Sequence, residues 1–461
     1  MRKPLRMNMV DDPWTTGLLL AGYLLAMTAV GARAARRSKT VEGFFLAERG
    51  LAPAALAATL AATILGASST LGMAGLGFRE GLTGAWWLLS GTAGLLVLSL
   101  FLAEKVRETG CFTLPELLGA TYDRRVRLAA SALILASWVG IIAAQIVASG
   151  KLLGILFGPR QEVFIVASAL VFVGYTALGG QRSIVKTDAV QLLILLLGLA
   201  LVSWRAFQLA GPDLLAGQSF PTSEARGWPE VTSLLLVVGS AYLVGPDIYS
   251  RLFSASDPGT ARRASLAAAL ILVPLAFVIT SLGIAARLLF PAILPEEALP
   301  VLMAETLSPL GAGIVAAALL SALLSSADTT LLTATSILAL DLFRAARPHA
   351  SAEEILWVSR AGCLLIGGVA LVSALRLPEI VSTLLAAYTI FAGGLIVPAV
   401  AGFQRDRLRL TPSGALASIL GGGAVALLFG GRWPLLGMAT SAFLLIAVSW
   451  LLPQSKRRIS G

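Results

Sequence analysis

Apolar runs of roughly 18 to 30 residues recur along almost the whole chain, and at about 1.5 Å of rise per helical residue each can cross a hydrocarbon core of about 30 Å. Thirteen fit, at 13–31, 51–77, 83–103, 128–157, 162–178, 184–207, 231–250, 264–290, 310–341, 355–375, 379–402, 411–430 and 434–452. In lipid such a run must satisfy its own amides and carbonyls, which a helix does within itself. The sequence therefore predicts an all-α integral membrane protein, one transmembrane unit over 1–461. Composition agrees, with 57% hydrophobic and 13% charged residues and a mean hydropathy of +0.85.

A net charge of +10 raises the question of a nucleic-acid partner, and the placement of the basic residues answers it. One alternate set of loops holds Arg33, Arg36, Arg37, Lys39 and Arg49, then Lys105, Arg107, Arg124, Arg125 and Arg127, then Arg182, Lys186, Arg251, Arg262 and Arg263. Arg344, Arg347, Arg360, Arg405, Arg407, Arg409, Lys456, Arg457 and Arg458 continue it. Such a bias marks cytoplasmic loops and needs no nucleic acid. It predicts an outside N-terminus and a cytoplasmic C-terminus in a cell membrane, a bacterial inner membrane being favoured by the lack of a sorting tail. The first run, lacking a small-residue cleavage site and followed by GARAARRSK, reads as a retained span.

Cys111 and Cys363 fall near cytoplasmic ends of spans, where a disulfide is not expected, and the single histidine, His349, lies in a loop. No nucleophile with a base and no metal cluster stands at membrane depth, which argues against an enzyme. A sensor would need a signalling domain, and the tail after Leu452 is too short to supply one. Transport remains.

Setting the first span aside as a leading span, the next ten form a core, followed by two trailing spans over 411–452. Core span one (51–77) is interrupted by Gly66, Gly72, Gly75 and Gly77; core span six (231–250) is interrupted by Gly239, Gly245 and Pro246. They stand five spans apart and so cross the membrane in opposite directions. Matched interruptions in two inverted halves, here 51–207 and 231–402, point to the binding site of a secondary transporter, because broken helices bare carbonyls and amides that lipid cannot satisfy.

Charges at membrane depth are functional candidates. Asp188 lies early in core span five (184–207) and Asp328 midway along core span eight (310–341). Around Asp328, Ala322, Ser325, Ser326 and Thr329 recur at i, i+3, i+4 and i+7, stacking oxygens along one face. Hydroxyls, a carboxylate and bare carbonyls make an all-oxygen cage suited to a hard cation.

The stretch Tyr175-Thr176-Ala177-Leu178-Gly179-Gly180, then Thr187-Asp188 and Gln191, resembles the signature of the sodium:solute symporter family, whose members carry sugars, proline, pantothenate, sialic acid, iodide and carboxylates. Thr40 to Ala47, Arg251 with Asp257, and Ser325-Ser326-Ala327-Asp328 agree with it. The resemblance implies a leucine-transporter-type core of two inverted five-helix repeats. It also implies a sodium site built from the backbone carbonyls of Ala62 and Leu65, the carbonyl of Ala322 and the hydroxyls of Ser325 and Ser326. A second sodium site would fall on Asp188, Ser325, Asp328 and Thr329, with Asp328 standing where the sialic-acid branch has a hydroxyl. Gln181 departs from the family's usual apolar residue, and Ile64 stands where proline carriers have an aspartate, which argues against a plain proline carrier.

The charged and amide residues of the sugar carriers are not found, so a small carboxylate or amino acid is the expected solute. Position suggests Ser68 and Ser69 at the first break, Gln145 and Ser149 in core span three (128–157), Tyr242 and Asp247 at the second break, and Tyr388 and Thr389 in core span ten (379–402). Trp86 or Trp87 offers a cap over this pocket, although tryptophans at a helix start more often anchor the interface. A proton-coupled or uncoupled carrier, in which Asp188 or Asp328 titrates, is the alternative within transport.

Overall fold

The computed structural model describes residues 13–35, 40–158, 160–376 and 379–452. Of the topology-bearing residues, Arg36, Arg37, Lys39, Lys456, Arg457 and Arg458 lie outside the described residues. Among those described, nine helices are long and apolar enough to cross a membrane, and Trp14–Val30, Pro53–Ile64, Gln161–Ala177 and Leu436–Leu451 are shorter apolar helices. Each expected run falls on one or more of these elements. The described residues form no β-ladder, only isolated bridges at Leu51 with Ala255 and Ser223 with Arg226.

Polar residues set where the spans begin. Asp123, Asp257, Ser308, Ser351 and Thr411 each accept a backbone N–H of the following first turn, capping the helices Arg124–Phe157, Pro258–Leu289, Pro309–Ser336, Ala352–Ala374 and Pro412–Phe429. Such caps satisfy amides that have no intrahelical partner. Asp257 also accepts from Ser256 at 2.9 Å and from the Thr260 hydroxyl at 2.5 Å, and these bonds hold its carboxyl down at about 2.

Core spans four (162–178) and five are joined by a turn at Gly180, whose φ of 64° disfavours any residue with a side chain. A Cβ there would also lie 2.7 Å from the Phe44 ring. The double glycine of the motif thus lets the turn seat against the short helix Val41–Leu46. Directly after the turn, Gln181 and then Asp188 face inward and are fully buried.

Both spans are interrupted, but Gly75 and Gly77 lie inside the helix Met73–Glu80 and Gly239 inside Trp228–Val244, where each permits close backbone packing, against Pro295, Thr280 and Ser90, rather than a break. Core span one runs as Pro53–Ile64, leaves helical geometry at Leu65 (φ −81°, ψ 57°), and resumes through a wide turn at Ser68–Gly72 into Met73–Glu80. Core span six runs as Trp228–Val244, opens at Gly245, and restarts as Pro246–Phe253. Leu51 exchanges backbone bonds with Ser254 and Ser256, tying the start of the first interrupted helix to the end of the second. Core span eight lies at the centre, buried on every side from Val315 to Ser336. A helix this enclosed must find protein partners for all its hydroxyls and its carboxylate, and those partners define the site.

Candidate functional site

Where core span one stops, its last carbonyls lack the next turn's amides. Leu65 N–H still reaches the Ala61 carbonyl at 3.0 Å, but the Thr63 carbonyl accepts the Ser326 hydroxyl at 2.7 Å. Gly66 makes this approach possible, since a Cβ there would fall 2.4 Å from Ser326 Oγ and 2.8 Å from Gln145 Nε2. Beyond the gap, the Ala67 N–H is received by Gln145 Oε1 at 2.9 Å. The break is therefore held open by side chains of core spans three and eight.

The opposite flank of core span eight is ionic. Ser325 donates to Asp188 Oδ1 at 2.6 Å, and Thr59 donates to Asp188 Oδ2. Arg251, fully buried, reaches Asp188 Oδ2 at 3.6 Å, donates to Gln181 Oε1 at 2.5 Å and donates to Thr329 Oγ1. Thr329 also meets Thr63 at 3.2 Å. Asp328 accepts the Thr176 hydroxyl at 2.7 Å on Oδ1, while its buried Oδ2 has no hydrogen-bond partner. A buried ion pair stands only when its remaining donors and acceptors are met, and here hydroxyls of core spans one and eight and the Gln181 amide oxygen meet most of them.

Between the two breaks lies a cavity of about 30 Å³, lined among others by Ser68, Gln145, Tyr242, Asp247, Ser326 and Tyr388. Trp138, Thr63 and Thr330 also face it. Such a volume admits a few waters or a small ligand group.

Of the residues expected at the sodium site, the structure brings Ser326 against the end of core span one, with Ala62, Leu65 and Ala322 buried close by in sequence to it. Ser325 sends its hydroxyl away from that junction to Asp188. Among the second set, Asp188 and Thr329 share Arg251 rather than facing open space, and Asp328 faces Thr176. Of the solute set, Ser68, Gln145, Tyr242, Asp247 and Tyr388 line the cavity, whereas Ser69, Ser149 and Thr389 do not. Ser149 bonds back to the Gln145 carbonyl and Thr389 to the Leu385 carbonyl, each along its own helix. The expected tryptophan cap is corrected too. Trp86 bonds the Pro221 carbonyl and stacks on Phe220, and Trp87 is buried in the core.

Sequence reasoning missed Thr59, Thr63, Trp138 and the inward reach of Arg251. The four-residue spacing of Thr59 and Thr63 on a helix free of other polar residues was the available signal. Arg251 gave none, since an arginine near a span end ordinarily reaches the interface.

The family model described as sodium:solute symporter family matches residues 44–422. Among curated relatives, the sodium/proline symporter of Escherichia coli (strain K12) is 26% identical, covering 86% of this chain and 84% of the relative. The sodium/pantothenate symporter of the same organism is 27% identical, covering 88% and 89%. The structure of a Na+-coupled sialic acid symporter, described as a substrate-bound outward-open state, superposes with a TM-score of 0.83 at 19% identity, covering 97% of this chain and all of that one, and so shares its fold. The chain is thus a multi-pass membrane transporter with sodium as its coupling ion, and it belongs to the sodium:solute symporter family.

Proposed function

We propose that this symporter imports a small organic solute by alternating access, with two inverted five-helix units, 51–207 and 231–402, rocking about the cavity between their broken helices. The observation that carries the reading is the junction of Ser326 with the bared end of core span one, directly beside that cavity. Sodium there would take the carbonyls of Ala62, Leu65 and Ala322 and the oxygen of Ser326, with Ser325 joining once its hydroxyl turns from Asp188. A serine that donates its proton, as Ser326 does to Thr63, keeps its lone pairs for a cation. Binding would pull core spans one and eight together and complete the adjacent solute cavity.

One charge crossing 100 mV supplies about 2.3 kcal/mol and a tenfold sodium gradient about 1.4 kcal/mol, together holding a neutral solute at roughly 500-fold accumulation. The orientation of the basic loops supports an outside N-terminus and a cytoplasmic C-terminus. Thermal unfolding of the purified protein in sodium, lithium and potassium chlorides at equal ionic strength tests the coupling ion at this site. The midpoint should rise with sodium above potassium, and equal midpoints would remove the site.

Asp328 supports a second reading of the ionic flank. Its partnerless Oδ2 can take either a second sodium, shared with Asp188, Ser325 and Thr329 once Arg251 withdraws, or a proton. Uptake driven by a pH gradient at fixed sodium separates the two, since only a titrating carboxyl responds to it.

A further inference from the structure

We propose that the solute carries a positively charged nitrogen, seated against Asp247 and enclosed by the rings of Trp138, Tyr242 and Tyr388. This rests on the transport reading of the cavity and narrows it to a class of solute.

Asp247 is the one carboxylate among the cavity-lining residues, and none of those residues is Lys, Arg or His. Most of the polar lining is sealed, with Ser68, Gln145, Tyr242, Ser326 and Thr330 all buried, while Asp247 and Tyr388 keep partial exposure. The carboxylate sits at the second residue of the helix Pro246–Phe253, where the amides of Asp247 itself and Ile248 fix one side of it. Gly245 leaves it room, since a Cβ there would come within 2.9 Å of Oδ1. The nearest guanidinium, Arg251, is one turn further on and is already engaged by Asp188, Thr329 and Gln181. Asp247 thus faces the cavity with no cationic side chain within ion-pair distance among the described residues.

The rest of the wall is what a cation recognises. Trp138 lies edge-on to Phe391, at 4.9 Å between ring centroids, which fixes the indole in the wall. Tyr242 lies in a slot made by Gly91, where a Cβ would fall 2.4 Å from the ring. Aromatic faces attract ammonium groups, more strongly when water is excluded, and in a cavity of about 30 Å³ one group touches all of them. An anionic group placed against Asp247 would be repelled by its carboxylate.

With Arg251 held by Asp188, Thr329 and Gln181, a cationic nitrogen of the solute is the charge that Asp247 can receive in the cavity. A zwitterion satisfies the same rule if its carboxylate points away from Asp247, toward Ser68.

The test is thermal unfolding in sodium chloride with shape-matched pairs that differ by one positive charge: choline against 3,3-dimethylbutan-1-ol, and glycine betaine against 3,3-dimethylbutyrate, with ethanolamine and glycine as N–H-bearing probes. At least one compound with a charged nitrogen should raise the midpoint, and its carbon isostere should not. In Asp247→Asn the half-saturating concentration should rise at least about tenfold with the sodium-induced shift retained, and Asp247→Glu should recover part of the loss. The inference is overturned if the isosteres act equally, if no charged-nitrogen probe shifts the midpoint, or if Asp247→Asn binds as tightly as wild type. A wild type indifferent to sodium would overturn the transport reading, and this inference with it.

Discussion

The two interrupted helices that meet at the cavity are made of opposite materials. Core span one carries no ionisable side chain from Pro53 to Phe78, so its break presents carbonyls and hydroxyls alone. Core span six restarts with Asp247 and Arg251 within a turn of each other. Neutral dipoles can hold a cation weakly enough to release it in every cycle, whereas fixed charges at membrane depth must stay paired or be matched by cargo. The first break suits an ion that comes and goes, and the second suits permanent anchoring of the scaffold and discrimination by charge.

The sharpest way to break this contrast is Ser326→Ala. If the neutral break is the sodium site, sodium-dependent uptake falls to below about a tenth of wild type while expression persists, because one of few ligands is gone and Thr63 loses its donor. Uptake with unchanged sodium dependence would assign the ion elsewhere.

Next in size is Asp188→Asn, which leaves Arg251 buried beside a neutral amide. Removing one partner of a buried pair is expected to destabilise by about 3 kcal/mol, and the double variant Asp188→Asn with Arg251→Gln should recover part of that in chemical unfolding. Additive losses would mean that the two groups, 3.6 Å apart, are not coupled.

Gly66→Ala probes the geometry of the neutral break without replacing a ligand side chain. Its Cβ would press on Ser326, so a loss of about 1–3 kcal/mol in stability and a weaker sodium-induced shift are expected. A stable variant with normal sodium response would show that the junction is looser than the 2.7 Å bond implies.

The smallest effect belongs to Asp257, a charge just beyond core span six and fully in water. Its carboxyl titrates at about 2 in the folded protein against an ordinary 3.8, so the stability it adds is complete above the ordinary value and fades as pH falls toward 2. The midpoint difference between wild type and Asp257→Ala should be small at neutral pH and should close in acid. A difference that persists at pH 2 would place its origin in packing rather than in the ionised cap.

Much of this was legible beforehand. Gly66, Gly72, Gly245 and Pro246 marked both interruptions, the aspartates stood out in apolar surroundings, and the hydroxyl stripe around Asp328 singled out one face of core span eight. What was not legible is which way each hydroxyl turns. Ser325 and Ser326 are adjacent, yet one donates to core span five and the other to core span one, because successive helical positions differ by about 100° and face different neighbours. Ser149 and Thr389 each bond the carbonyl four residues back on their own helix.

The sequence by itself determined that the chain spans a membrane as helices, where those helices break, and which family signature they carry. Lipid enforces that much, since a long apolar run has one way to satisfy its backbone there. Tertiary structure alone decided that Arg251 turns inward to Asp188 and Thr329, that Thr63 receives Ser326, and that Trp138 and Asp247 share one cavity. These contacts join residues from 63 to 263 positions apart. Hydropathy places a span in the bilayer but is silent about its rotation, and rotation is fixed only when every neighbour is packed.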